Sequence, residues 1–135
     1  MKKYFLAASI FVLIAVLLAA LFPVQYHSRE EVFEIPKGTW EQRMSGNPVN
    51  ILPDRIYLAL GVRDLLVLRN QDDVPQMFGP TLIMPGQTFK LPFELASEYE
   101  FACTAHASGQ MLVIVDSEPT PGWYRLQWRV KNLLR

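Results

Sequence analysis

The sequence predicts an all-β sandwich preceded by a single membrane-spanning helix at its N-terminus. Three observations predict it. Nineteen residues from Tyr4 to Phe22 carry no charge. Seven or so short apolar or alternating runs then follow, separated by Gly, Pro, Asn and Asp turn signals, with no convincing soluble helix among them. The last two runs flank a short loop that holds the single Cys, one of the two His and a Met.

Taken in order, Met1-Lys2-Lys3 is a basic lead, and the uncharged run spans roughly 28 Å as a helix at about 1.5 Å per residue. Leu18 to Pro23 offers no A-x-A cleavage site, so residues 1–22 read as a retained anchor rather than a removed signal. Lys2 and Lys3 place the N-terminus in the cytoplasm, which puts the rest of the chain outside it. Residues 23–31, with His27, form a polar tether, a poor place to fix a ligand. The sandwich is expected over 32–116 and a C-terminal extension over 117–135. Thirteen basic and thirteen acidic residues in 135 give no signature of nucleic-acid binding.

Val32 to Pro36 reads as a strand and Lys37 to Trp40 as a turn. Glu41 to Asp54, with Gly46, Pro48 and Pro53, reads as a long loop. Arg55 to Leu60 and Asp64 to Arg69 are strands. Gly79 and Pro80 mark a bulge or edge within Phe78 to Met84, and Pro92 marks an edge in Gln87 to Phe93, whose Phe89, Leu91 and Phe93 share a face. Glu98 to Cys103 alternates, and Met111 to Val115 reads as a buried strand. In the tail, Tyr124, Leu126, Trp128 and Val130 alternate with Arg125, Gln127, Arg129 and Lys131, which predicts an added strand with a basic face. A helical template catches Trp123, Leu126, Val130, Leu133 and Leu134 but leaves Trp128 on the polar side. In that form the tail is a basic amphipathic segment for lipid headgroups or a partner.

The loop carries the chemistry. Cys103, His106 and Met111 stand at the spacing C-x2-H-x4-M. Thiolate, imidazole and thioether are the soft and borderline donors that copper prefers, and two strands fix the ends of the loop that bears them. One Cys cannot form an internal disulfide, and in an oxidising compartment metal ligation or burial protects it. Read singly, each residue is more commonly a buried hydrophobe or a solvated side chain. There is no Gly-rich phosphate loop, no second Cys for a zinc ribbon or a two-copper centre, and no nucleophile elbow, so no enzyme activity is expected. Asp72-Asp73 reads as a pair that solvates or caps a turn.

The run Tyr99 to Met111 resembles the ligand loop of the cupredoxins, the plastocyanin and azurin superfamily, with the Y-x-F-x-C lead-in and the plastocyanin loop length. The resemblance extends to Asn70-Gln71-Asp72 followed by Val74-Pro75-Gln76, where the family reads N-x-D and V-P-H, and to Ile83-Met84-Pro85-Gly86. It covers about residues 50–116. It implies a Greek-key sandwich and one mononuclear copper site with Cys103, His106 and Met111 as ligands. Gln76 stands where the family has its first His. Met77 beside it offers a thioether, and because adjacent strand residues face opposite ways only one of the two should point inward. The expected function is a membrane-anchored, extracytoplasmic copper protein for electron transfer or Cu(I) handling, with a redox or copper-delivery partner such as a respiratory complex. The alternative is a copper-free structural or interaction module of a membrane complex.

Overall fold

The computed structural model describes residues 2–25, 27–47 and 51–134, without the side chains at 2, 3, 5 and 6. Tyr26 of the expected tether, Pro48 to Asn50 of the expected loop, Met1 and Arg135 lie outside the described residues. The chain divides into two compact units, Tyr26–Glu118 and the pair of terminal segments Met1–Gln25 with Pro119–Arg135.

The larger unit is built from strands β1 (Glu30–Ile35), β2 (Arg55–Ala59), β3 (Leu65–Asn70), β4 (Gln76–Phe78), β5 (Thr81–Ile83), β6 (Thr88–Pro92), β7 (Glu98–Ala102) and β8 (Gln110–Asp116). One sheet has the order β1-β3-β6 and a second the order β2-β8-β7, while β4 and β5 form a hairpin. β1 runs parallel to β3 and β2 parallel to β8; the other pairs are antiparallel. Alternation along the strands turns Ile56 and Leu58 of β2, and Met111, Val113 and Val115 of β8, toward one buried face. These residues share a single core with Ile35 of β1 and with Leu66 and Leu68 of β3, so the two sheets close on each other as a sandwich.

The edges follow from residue chemistry. β6, which contains Pro92, is an outer strand, as a residue lacking an N–H requires. Gly79 and Pro80 do not kink a single strand; they form the two-residue turn that pairs Phe78 with Thr81. Gly79 has φ +54°, and a Cβ there would lie 3.0 Å from the Phe101 ring, so conformation and space both call for glycine.

Two segments not expected from the sequence to be helical are helices. The first is the expected turn and loop after β1, where helix α2 (Thr39–Met44) begins. Its Gly38 provides no side-chain cap, and the cap comes instead from Asp72, which accepts the Gly38 and Trp40 N–H at 2.8 and 2.9 Å. A cap supplied from more than thirty residues away leaves no local signal. The second is the tail, which is not an added strand but helix α3 (Trp123–Leu133). The period-two alternation failed as a guide because the turn-by-turn pairing of residues four apart governs instead. Arg125 and Arg129 project from the same side of the helix to the end of the N-terminal helix α1 (Lys2–Leu21).

Within the terminal unit, Gly122 N–H donates to Ala20 O at 3.0 Å. Arg125 donates to Leu21 O and Phe22 O at 2.8 and 3.0 Å, and Arg129 to Phe22 O at 2.9 Å. These donors satisfy carbonyls that the end of α1 leaves without intrahelical partners. Among the described residues no helix is long and apolar enough to cross a membrane, so the span expected from the sequence is not a feature of the fold as described.

Leu68 is fully buried in the core, whereas Leu82 on β5 is exposed. Leu68→Ala should lower unfolding stability by about 2–5 kcal/mol and Leu82→Ala by less than about 0.5 kcal/mol. Chemical denaturation of the two variants checks the assignment of the core.

Candidate metal centre

The candidate centre sits where the β7–β8 loop meets β4. β7 ends at Ala102, and the chain turns back through Cys103 N–H to Gly109 O at 2.9 Å and Gly109 N–H to His106 O at 3.0 Å. Gly109 has φ +78°, the left-handed conformation that lets this turn close. β4 is fastened alongside: Gly79 N–H donates to Ala102 O at 2.7 Å and Thr104 N–H to Met77 O at 3.0 Å. The Thr104 hydroxyl accepts the Met77 N–H at 2.8 Å.

Four of the five expected donor residues are buried. Cys103 and Met111 belong to the hydrophobic core, packed in the same cluster as Phe78 and Ala105. Gln76 is 1% exposed and Met77 43%, so the alternation of β4 turns Gln76 inward and Met77 out. Met77 therefore does not face the site. His106 is buried at 2% exposure, and His27 is exposed.

Burial pushes the Cys103 thiol above its ordinary pKa, because a thiolate in an apolar surround loses its hydration. Backbone N–H groups of Ala105 and His106 and the positive charge of Arg43 act against that rise. Arg43 also donates to the Thr104 carbonyl, which ties α2 to the loop. Burial outweighs these opposing effects.

The imidazole of His106 is held at its Nδ1. That atom lies 2.8 Å from the Ser108 hydroxyl and 3.2 Å from the Ser108 N–H, while the hydroxyl donates its own proton to Gln110 O at 2.9 Å. Nε2 is 3.0 Å from Asp54 Oδ1 but lacks hydrogen-bond alignment with it. Nδ1 can accept the Ser108 N–H, while Nε2 faces the Asp54 carboxylate without an aligned hydrogen bond. For Nδ1 to join a metal, the Ser108 contacts must give way, at about 1 kcal/mol for each hydrogen bond.

Gln76 is committed elsewhere. Its Nε2 donates to Asp72 Oδ2 at 2.9 Å and its Oε1 accepts the Thr104 hydroxyl at 2.8 Å. Asp72, itself buried, also accepts the N–H groups of Gly38, Trp40 and Asp73. Burial alone pushes its carboxyl up; the N–H donors of Trp40, Gly38 and Asp73 and the Gln76 amide outweigh it, so the net shift is downward. Asn70 completes the frame, its Nδ2 donating to Val74 O and Ile83 O at 2.9 Å each.

The donor types of Cys103, Met111 and His106 fit a soft cation such as Cu(I). They do not make the four-ligand set that the sequence resemblance implies, because the Gln76 amide is bound on both ends. Among the described residues there is no group of three or more His, Cys, Asp or Glu that could hold a metal ion. Sequence reading missed Thr104, Ser108, Asp54 and Arg43 as partners. Thr104 and Ser108 lie within the loop and carried a local signal, whereas Asp54 and Arg43 reach the site only through the fold.

No family model matches the sequence, and no curated protein matches it. Among solved structures, the chain is similar to a purple cupredoxin from Nitrosopumilus maritimus at 19% identity and a TM-score of 0.42, covering 63% of this chain and 98% of that one. It is also similar to an oxidised amicyanin variant at 17% identity and a TM-score of 0.43, covering 63% and 80%. A Cu(I) form of another amicyanin variant overlaps at 14% identity and a TM-score of 0.46, covering 73% and 93%. At these identities and TM-scores the likeness carries no argument about this chain's function. The chain's own sheets stand by themselves: two three-stranded sheets on one core, with the Cys-containing loop between β7 and β8, make a mostly β sandwich.

The depressed Asp72 carboxyl fixes a pH dependence. Its contribution to stability is fully present above the unfolded carboxylate pKa of about 3.9 and is lost as pH falls through the lower folded value. Asp72→Asn should therefore lower stability at neutral pH by about 1–3 kcal/mol and flatten its decline below that range. Denaturation midpoints of both proteins across acid pH check this.

Proposed function

We propose that the chain is a membrane-anchored, extracytoplasmic cupredoxin-like protein that handles copper as Cu(I) through Cys103, His106 and Met111. The observation that supports this reading is the setting of the Cys103 sulfur. It is buried in the core, faced by the N–H groups of Ala105 and His106 and by the charge of Arg43, on a loop that also buries His106 and Met111. In such a setting the thiol stays protonated until a cation compensates the thiolate, so metal uptake releases a proton. When bound, copper supplies a soft cation that can also exchange one electron.

Cu(I) handling is preferred over electron transfer because the position of a second imidazole is filled by Gln76, whose amide is bound to Asp72 and Thr104. The chain acts as a carrier rather than an enzyme, with a copper-delivery or redox partner such as a respiratory complex. Anchoring is supported by the sequence alone, through the uncharged run Tyr4 to Phe22 behind two lysines. The side chains described from Ile10 to Leu18 leave apolar surface exposed, among them Phe11 and Leu13.

A second reading, a copper-free interaction module of a membrane complex, is favoured by the hold of Ser108 on His106 Nδ1 together with the bound amide of Gln76. Titration of the full chain in detergent with Cu(I) against a competing chelator separates the two. The copper reading expects one Cu(I) per chain and, in Cys103→Ser, an affinity lower by about 100-fold or more. Gln76→His should add an intense thiolate-to-copper band with Cu(II). Absence of Cu(I) binding, with Cys103→Ser indistinguishable from the parent, supports the module instead.

A further inference from the structure

We propose that α3 is an interfacial helix that lies on the membrane surface, its apolar side in the headgroup layer of an anionic phospholipid leaflet. The inference rests on the anchoring reading of α1.

The helix is amphipathic but turned the wrong way for a soluble unit. Trp128 is buried, while Trp123 (71% exposed), Val130, Leu133 (86%) and Leu134 (83%) face outward. On a helix these four lie along one stripe, at spacings of seven, three and one. A large apolar stripe left open to water at each of these positions costs about 1.5–3 kcal/mol per side chain relative to burial, so something apolar covers it.

Two observations select lipid as the occupant. The first is position: the start of α3 is joined to the C-terminal end of α1 by Gly122 N–H to Ala20 O and by Arg125 and Arg129 to the Leu21 and Phe22 carbonyls. If α1 leaves the bilayer at Phe22, α3 begins at that depth. The second is charge: Arg125, Arg129, Lys131 and Arg135 stand in the tail from Pro119 to Arg135 without a single Asp or Glu. Basic residues beside a Trp and aliphatic stripe are the composition that binds anionic lipid surfaces.

The test uses the full chain reconstituted in vesicles of phosphatidylcholine with phosphatidylglycerol, part of the lipid being brominated near the headgroup so that it quenches neighbouring tryptophan. Quenching is expected. Trp123→Phe, and separately Leu133→Glu with Leu134→Glu, should each reduce the quenched fraction at least about two-fold, as should replacing the anionic lipid by phosphatidylcholine alone. All three substituted side chains are well exposed, so these variants should fold. Chain that floats with the vesicles and resists alkaline extraction, yet shows no quenching, overturns the inference while leaving the anchor in place, and points to a protein on this face. Chain that shows the quenching but is stripped by alkaline extraction overturns the anchoring reading, and with it the placement of α3 argued from the end of α1, while its contact with lipid stands on the apolar stripe and the basic charge alone. Chain that never associates with vesicles overturns both.

Discussion

The buried carboxylate of Asp72 is the constraint on which the candidate centre depends. One side chain caps α2 through Gly38 and Trp40, closes its own turn through Asp73, and holds the Gln76 amide. Through Gln76 it reaches Thr104, and so the residue next to Cys103. A buried charge with this many N–H donors is stable only if all of them stay in place, because losing one leaves an unpaired group away from water. The loop with the sulfur therefore takes its position from a network that starts at the other end of the β4 segment.

That network also explains what kind of site the loop can make. In a side chain whose two polar ends are already bonded, the Gln76 oxygen has little reason to turn to a metal. What remains is a thiol, a thioether and an imidazole, with the imidazole restrained by Ser108. Such a set is soft and low in coordination number, which suits Cu(I) better than Cu(II). Arg43 links the same loop to α2, so the helix capped by Asp72 bears on the loop by a second route.

Much of the sandwich was legible in the chain, because strand alternation and turn chemistry are local. Phe89 and Leu91 announce their shared face by period two, whereas Leu65 to Leu68 and Met111 to Val115 read only as unbroken apolar runs whose inward faces the fold assigns. The loop was legible for the same reason: its donors are close in sequence. The parts that were not legible depend on distant partners. α2 has its cap on Asp72, and the helical state of the tail depends on carbonyls at the end of α1. Tyr124, Leu126, Trp128 and Val130 satisfy a strand pattern as well as they fail a simple helical one, and only the burial of Trp128 on the side of Arg125 and Arg129 resolves the choice. Alternation required one of Gln76 and Met77 to face inward and left open which; the fold turns Gln76 in.

The central claim is that the sulfurs of Cys103 and Met111 and the ring of His106 act on one ion. X-ray absorption at the copper edge, recorded on the full chain loaded with one Cu(I), tests it most directly. The account predicts a first shell of sulfur with one imidazole, with sulfur scattering reduced in Cys103→Ser and again in Met111→Leu. A shell of nitrogen and oxygen alone, or one that neither substitution changes, would contradict it.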